Sequence, residues 1–398
     1  MTIASTFIRK LFKRANKVNT QGRRPGKLLL NEAQCPELFA MRDRTQAVEF
    51  RAELQVAADK GAIRIKPLLR AAPPMDVHAI EVLDIRKLAE YLGEPLGTDR
   101  LEHARAELTP LIAQLPIIEN VLSTWAVGKK VRGCDPTPDV VSALVDAARV
   151  VLARREATED MMLRRFSRSM FKNSKRIEGI EPWIDLAYAG DLAPSGLHPE
   201  DIRGALGLHH EPQAFFLHAE VEYWTRSLSV PAQPPYVGLP TRDIKGFRFI
   251  KQPQALLLIE NKQSFHEFAA KAEHLPCSVV YTAGMPSPSW RRVMELLLEA
   301  VDPQVPVYHL GDIDLGGFRI AANIAKFIRA TGRELRPWLM DPSELAAFGY
   351  ELEITDESRN IPAMQRWCRE AGWDAIADEL AKTPGSVEQE LIEARFPI

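Results

Sequence analysis

The sequence predicts a multidomain α/β protein, with a C-terminal parallel sheet covered by helices and, ahead of it, winged-helix-like and helical arm modules. Three observations predict this. Between residues 255 and 340, short apolar runs of β type alternate with amphipathic helical stretches over short connections, as in sheets whose strands are joined by helical crossovers. Residues 82–155 carry helical periodicity in three successive stretches. The chain is 398 residues long, more than one hydrophobic core organises, so roughly two to three domains are expected.

Composition narrows the class. Hydrophobic residues make up 46% and charged residues 26% of the chain, a globular balance that excludes long disorder. No apolar run approaches the roughly 20 residues that a bilayer-spanning helix needs. Arg9, Lys10, Lys13, Arg14 and Lys17 interrupt the stretch where a signal peptide would carry its apolar segment, so a cytoplasmic protein without membrane contact is expected. Cys35, Cys134, Cys277 and Cys368 are far apart and form no CxxC pair, which reads as reduced thiols rather than a metal or disulfide framework. The net charge of −2 conceals an asymmetry. The first 30 residues hold eight Lys or Arg and no acid, whereas residues 341–398 hold 13 acids and five bases. A basic terminus serves solubility or seeks phosphate.

Taken in order, residues 8–16 form a basic helical stretch and 20–27 a loop. Residues 35–64 follow, with helical spacing through 47–58 and a glycine-containing, β-prone end, the outline of a winged helix in an expected module 1–75. Pro73 and Pro74 mark a linker or turn. Residues 82–92, 100–115 and 140–155 are helical by pattern and make an expected arm, 76–157, with no catalytic constellation. Residues 161–186 interleave Arg164, Arg165, Arg168, Lys172, Lys175 and Arg176 with Phe166, Met170, Phe171 and Ile177. That pattern suits either a solvated helix face or an element that packs on a core while facing phosphates, in an expected winged-helix-like segment 158–235.

The proline-rich stretch 231–240 marks the boundary to a C-terminal domain, 236–398. There, strands are expected at 255–260, 277–282, 305–310 and 335–340, and helices at 265–274, 289–301 and 318–331. Ligands of such sheets collect at the carboxyl ends of the strands. Glu260 closes the first of these strands, and Asp312 and Asp314 follow the third. Hard oxygen ligands with room for water suit Mg²⁺ or Mn²⁺. Aspartates at such positions also cap helices, so the DxD by itself allows both readings. An EF-hand counted from Asp312 requires a glutamate where Asn323 stands, and no P-loop Gly-Lys-Ser/Thr is present. The haloacid dehalogenase DxD belongs to a first strand, whereas two strands precede this one.

A glutamate ending one strand and a DxD ending a later one resembles the Toprim domain, a Rossmann-like parallel sheet shared by type II topoisomerases, recombination proteins and overcoming-lysogenization-defect nucleases. LLLIENKQSFHEF, VVYTAGMPSPSW and VYHLGDIDLGGFRI look more closely like the C-terminal domain of the JetD nucleases of Wadjet antiplasmid defence systems. RRFSRSMFKNSKRIEGI and GSVEQELIE are similar as well. The resemblance covers most of residues 160–398 and is faint over 1–150. It extends in turn to the A subunit of topoisomerase VI.

The resemblance implies a metal-dependent DNA endonuclease. Glu260, Asp312 and Asp314 match the Toprim metal ligands and catalytic acids, with Mg²⁺ or Mn²⁺ as cofactor. Lys262 and Arg319, by position, and Arg168, Lys172, Lys175 and Arg176, by pattern, are candidate contacts to DNA phosphates. It further implies a homodimer acting on double-stranded circular plasmid DNA, with SMC, kleisin and accessory subunits as partners. The topoisomerase tyrosine finds no match, since neither Tyr188 nor Tyr223 sits in an alignable motif. Water-mediated phosphodiester hydrolysis is therefore expected over transesterification. A non-catalytic DNA-binding subunit is the alternative from another class. His266 and His309 flank the acids and are expected to serve packing, and Glu390 is a further carboxylate near the C-terminus.

Overall fold

A computed structural model defines residues 2–20, 27–29, 44–67, 77–350, 360–383, 385, 387 and 389–398. It divides into two compact units, Met1–Ala148 with Gly190–Ala193, and Arg149–Ala189 with Pro194–Ile398. The expected divisions at residues 75 and 157 do not coincide with this one.

In the first unit, helix α1 (Ile3–Thr20) explains the basic terminus. Phe7, Ile8, Leu11 and Phe12 recur at helical spacing and are buried, while Lys10, Lys13, Arg14 and Lys17 lie on the exposed face. The buried face packs on Phe50 and Leu54 of α2 (Arg44–Asp59), on strands β2 (Ile63–Pro67) and β3 (Val77–Val82), and on Leu88 of α3 (Ile85–Leu92). Strand β1 (Lys27–Leu29) completes an antiparallel sheet of order β1-β3-β2. This part thus combines helices with a small antiparallel sheet; the stretch around Pro73 and Pro74, most of the 20–27 loop and Cys35 lie outside the described residues.

Two expected helices differ. The 82–92 stretch begins as β3, and its helix starts only after Asp84, whose carboxylate accepts from Arg86 N and Lys87 N. The 100–115 stretch is α4 (Gly97–Leu108), which gives way to a 3-10 turn at Thr109–Leu111 because Pro110 has no amide hydrogen to continue the ladder. A further helix, α5 (Ile117–Ala126), follows Pro116, and α6 (Pro138–Arg154) matches the expected 140–155.

The second unit opens with β4 (Met161–Met162), α7 (Leu163–Phe171), α8 (Glu181–Ala189), α9 (Pro199–Ala205) and β5 (Leu208–His209). Strands β4 and β5 pair in parallel over two residues, unlike the antiparallel wing of a winged helix. The unit's large sheet has order β14-β13-β11-β12-β6-β9. Its strands are β6 (Ala214–His218), β9 (Val237–Pro240), β11 (Ala255–Ile259), β12 (Cys277–Tyr281), β13 (Val307–Leu310) and β14 (Leu335–Pro337). As expected, β12, β11, β13 and β14 are parallel neighbours, joined through α10 (Lys262–Lys271), α11 (Pro288–Ala300) and α12 (Leu315–Ala330).

The sheet also takes in β6, antiparallel to β12. A boundary at residue 235 therefore cuts through one sheet. The prolines of 231–240 suggest a domain boundary, yet Pro240 closes β9, the sheet's outer strand, where a missing amide donor is tolerated. Strands β7 (Val221–Trp224), β8 (Ser229–Pro231) and β10 (Gly246–Phe249) form a separate antiparallel sheet. Helices α13 (Pro342–Ala347), α14 (Ile361–Ala371) and α15 (Asp374–Lys382) complete the unit. Among the described residues, no helix is long and apolar enough to cross a membrane.

Candidate metal centre at the carboxyl edge of the sheet

All five residues of β11 are buried, so its first polar side chain, Glu260, emerges where the strand leaves the core. The parallel register sets Ile259 beside Leu310, and Glu260 N donates to Leu310 O at 3.1 Å. Glu260 and the GDID turn after β13 therefore leave the same edge of adjacent strands. Gly311 makes this approach possible. A Cβ there would lie 2.6 Å from Glu260 Oε2 and 2.9 Å from His309 Nε2. Gly317 has a similar task, since its Cβ would lie 2.2 Å from Asp312 O, so only glycine lets α12 start against the aspartate backbone. Asp314 caps that helix by accepting from Gly317 N at 2.6 Å.

Negative charge accumulates at this edge. Glu260 Oε2 is buried and accepts no hydrogen bond. Burial pushes the Glu260 carboxyl well above its usual range, and the charges of Asp312, Asp201 and Asp314 push it further. An orphaned carboxylate oxygen among three neighbouring acids is the donor set a hard divalent cation satisfies. Among the described residues, no three His, Cys, Asp or Glu side chains already converge on one point as ligands. Mg²⁺ tolerates this, because it keeps several waters and takes few protein ligands.

Two residues of this edge were not singled out from the sequence. Gln389 is fully buried, and its backbone N donates to Asp312 Oδ1 at 2.6 Å. Its side chain accepts from Asn261 N at 2.7 Å and donates to Leu310 O at 3.0 Å, so one glutamine staples both acid-bearing strand ends. The signal in the sequence is the GSVEQELIE motif, whose charged Glu390 stands next to Gln389 and has its side chain outside the described residues. Asp201, on α9, is held by Met285 N, and burial raises its carboxyl pKa. The backbone wraps it closely, since a Cβ on Gly284, at φ +69°, would lie 2.2 Å from Asp201 Oδ1. Asp201, Glu260, Asp312, Lys262 and Tyr281 line one cleft of about 560 Å³. Burial, with Glu260 and Asp201 nearby, pushes the Tyr281 phenol up to about 12.

The other expected residues are placed as follows. Lys262 is exposed at the cleft with its Nζ 5.2 Å from the Phe216 ring centre. Arg319 donates to Ser195 O at 2.9 Å and lies over the Trp367 ring. Arg164, Arg165 and Arg168 are exposed on α7 while Leu163 and Phe166 are buried; Lys172 and Lys175 are exposed beyond it and Arg176 is half-buried. His266 packs among Phe216, Tyr236 and Phe265. His309 is fully buried, stacks on Trp373, and is held neutral by burial, its pKa lowered to about 3. Tyr188 is half-buried on α8 and Tyr223 lies in the small β7-containing sheet. Cys134, Cys277 and Cys368 are free thiols, and burial raises the latter two to about 12.

This edge falls inside a recognised region. The family described as Wadjet protein JetD, C-terminal, matches residues 239–396. That stretch is similar to the C-terminal domain of JetD proteins. A curated relative, the Wadjet protein JetD of Bacillus cereus (strain Q1), is 25% identical over 252 residues, covering 61% of this chain and 60% of that protein. The JetD-like domain thus contains Glu260, Asp312, Asp314 and Gln389, while β6 and Asp201 stand before its start.

Proposed function

We propose that the chain is a metal-dependent DNA endonuclease that hydrolyses phosphodiesters, working as a homodimer in a Wadjet-type defence complex with SMC, kleisin and accessory subunits against circular plasmid DNA. The fold reading that goes with it is a Toprim domain. The observation that carries the proposal is the in-register delivery of Glu260 and the Asp312–Asp314 pair to one edge, with a buried carboxylate oxygen left unsatisfied. Glu260, Asp312 and Asp314 would hold Mg²⁺ or Mn²⁺. The bound cation would neutralise charge developing on phosphorus and make an attacking water more acidic. Gln389 keeps Asp312 oriented, and exposed Lys262 offers a phosphate contact at the mouth of the cleft. Arg164, Arg165, Arg168, Lys172 and Lys175 offer further phosphate contacts on an exposed surface.

A second reading, a DNA-binding subunit without catalysis, draws on Asp314, one of whose oxygens is already engaged as a helix cap. The two separate in a plasmid assay with the purified chain and with its reconstituted complex. Closed circular DNA should be cut in Mn²⁺ by the wild type and not by Glu260→Gln or Asp312→Asn. Cleavage retained in both variants would refute the site, and Mn²⁺ binding without cleavage in either preparation would favour the second reading.

A further inference from the structure

The first unit contains a cleft of about 770 Å³ that lies outside the JetD-like match. Lys13 and Lys17, one helical turn apart, contribute to it from the exposed face of α1. Arg100 contributes from the first turn of α4, and Lys129 and Lys130 from the turn after α5. Its two acids are already neutralised, Glu94 by Arg9 and Asp135 by Lys130 at 3.6 Å. Among the described residues, Lys13, Lys17, Arg100 and Lys129 have no acidic partner, and Arg100 Nε is buried without a hydrogen bond. Helix α4 opens with no side-chain cap, and the Gly97 amide is taken by Asn16 Oδ1 at 2.8 Å. The positive end of that helix adds to the same potential.

The chemistry selects a polyanion. The aromatic residues beside the cations, Phe12 and Trp125, are each only 2% exposed, so they offer neither a stacking platform for unpaired bases nor an anchor pocket. Peptide recognition uses apolar anchors, main-chain pairing or clusters of arginine that fork onto acidic motifs, and this cleft presents none of these, its cations being lysines apart from Arg100. Several independent cations without base-reading or anchoring groups match the phosphate backbone of duplex nucleic acid, where such contacts position the ligand without reading sequence. We propose that this cleft is a second, sequence-independent site for duplex DNA, independent of whether the acid edge cleaves.

The test is binding of a short labelled duplex to the full chain in EDTA, so that cleavage plays no part. A Lys13→Ala/Lys17→Ala/Lys129→Ala variant should bind on the order of tenfold more weakly, and the slope of log affinity against log salt should fall by about 3, one per lost phosphate contact. Unrelated duplex sequences should behave alike, and the corresponding triple arginine variant should keep wild-type affinity. Unchanged affinity and slope in the alanine variant, with its thermal melt intact, would overturn the proposal. So would a matched titration with a labelled acidic peptide in which the alanine variant loses peptide binding while its duplex binding is unchanged.

Discussion

At the carboxyl edge of β11 and β13, a carboxylate oxygen is buried with no donor in reach, and its surroundings are shaped by close backbone approaches that only glycine permits. In the cleft of the first unit, by contrast, Lys13, Lys17 and Lys129 stand exposed on long side chains whose stems can adjust. Both regions concentrate one sign of charge. The acid edge holds it in a fixed geometry, as a small cation requires, whereas the basic cleft holds it loosely, as a long polyanion allows. Single changes should therefore have large effects at the edge and small, salt-dependent ones in the cleft.

The largest effect is expected from Gly317→Ala, which sets a Cβ 2.2 Å from Asp312 O, backbone against backbone. It should cost roughly 3 kcal/mol or more in denaturant unfolding. Gly316→Ala should be neutral or stabilise by up to about 1 kcal/mol, since its nearest neighbours would be at 3.4 Å. If both variants unfold at the wild-type midpoint, the edge is not held as described. Gln389→Ala should cost about 1–3 kcal/mol, because it leaves Asn261 N without its buried acceptor, while Leu310 O keeps Glu260 N as a donor. It should weaken Mn²⁺ binding in calorimetry while leaving duplex binding in EDTA unchanged.

His309 sets an acid limit. Its folded pKa of about 3 lies below the ordinary 6.5, so the unfolded chain takes up the proton first. Its contribution is full above about pH 6.5 and is lost as pH falls toward 3, by at most about 1.4 kcal/mol per pH unit. Thermal melts of His309→Leu should fall less steeply over that window than those of the wild type; parallel slopes would remove His309 from the account. At the small end, Lys13→Ala should change stability by no more than about 0.5 kcal/mol. A larger loss would mean that the cleft's lysines hold the fold rather than a ligand.

The same contrast explains what was legible in the sequence. The acids could be read because strand periodicity and burial act locally: Glu260 is the first polar residue after the five-residue buried run of β11, and Asp312 follows the glycine that ends the next apolar strand, β13. The parallel core was readable for the same reason. Strand β6 was not, because it joins the sheet antiparallel after a helical segment and its partner lies some sixty residues away, beyond any local pattern. Gln389 was missed because a neutral amide has no charge to mark it, and its role comes from two strand ends distant in the chain. The basic cleft was half legible. The charge of α1 was evident, but Arg100 and Lys129 join it only through tertiary packing.

The central claim is that the edge holds a divalent cation through Glu260 and Asp312, and a Mn²⁺ titration of the full chain, followed by electron paramagnetic resonance at neutral pH, tests it most directly. The account predicts saturable binding by the wild type, lost in Glu260→Gln and Asp312→Asn. It also predicts that metal-free Glu260→Gln is no less stable than the wild type, because a neutral amide of similar shape replaces a buried carboxyl that its acidic neighbours disfavour in ionised form. Wild-type Mn²⁺ affinity in both variants would contradict it.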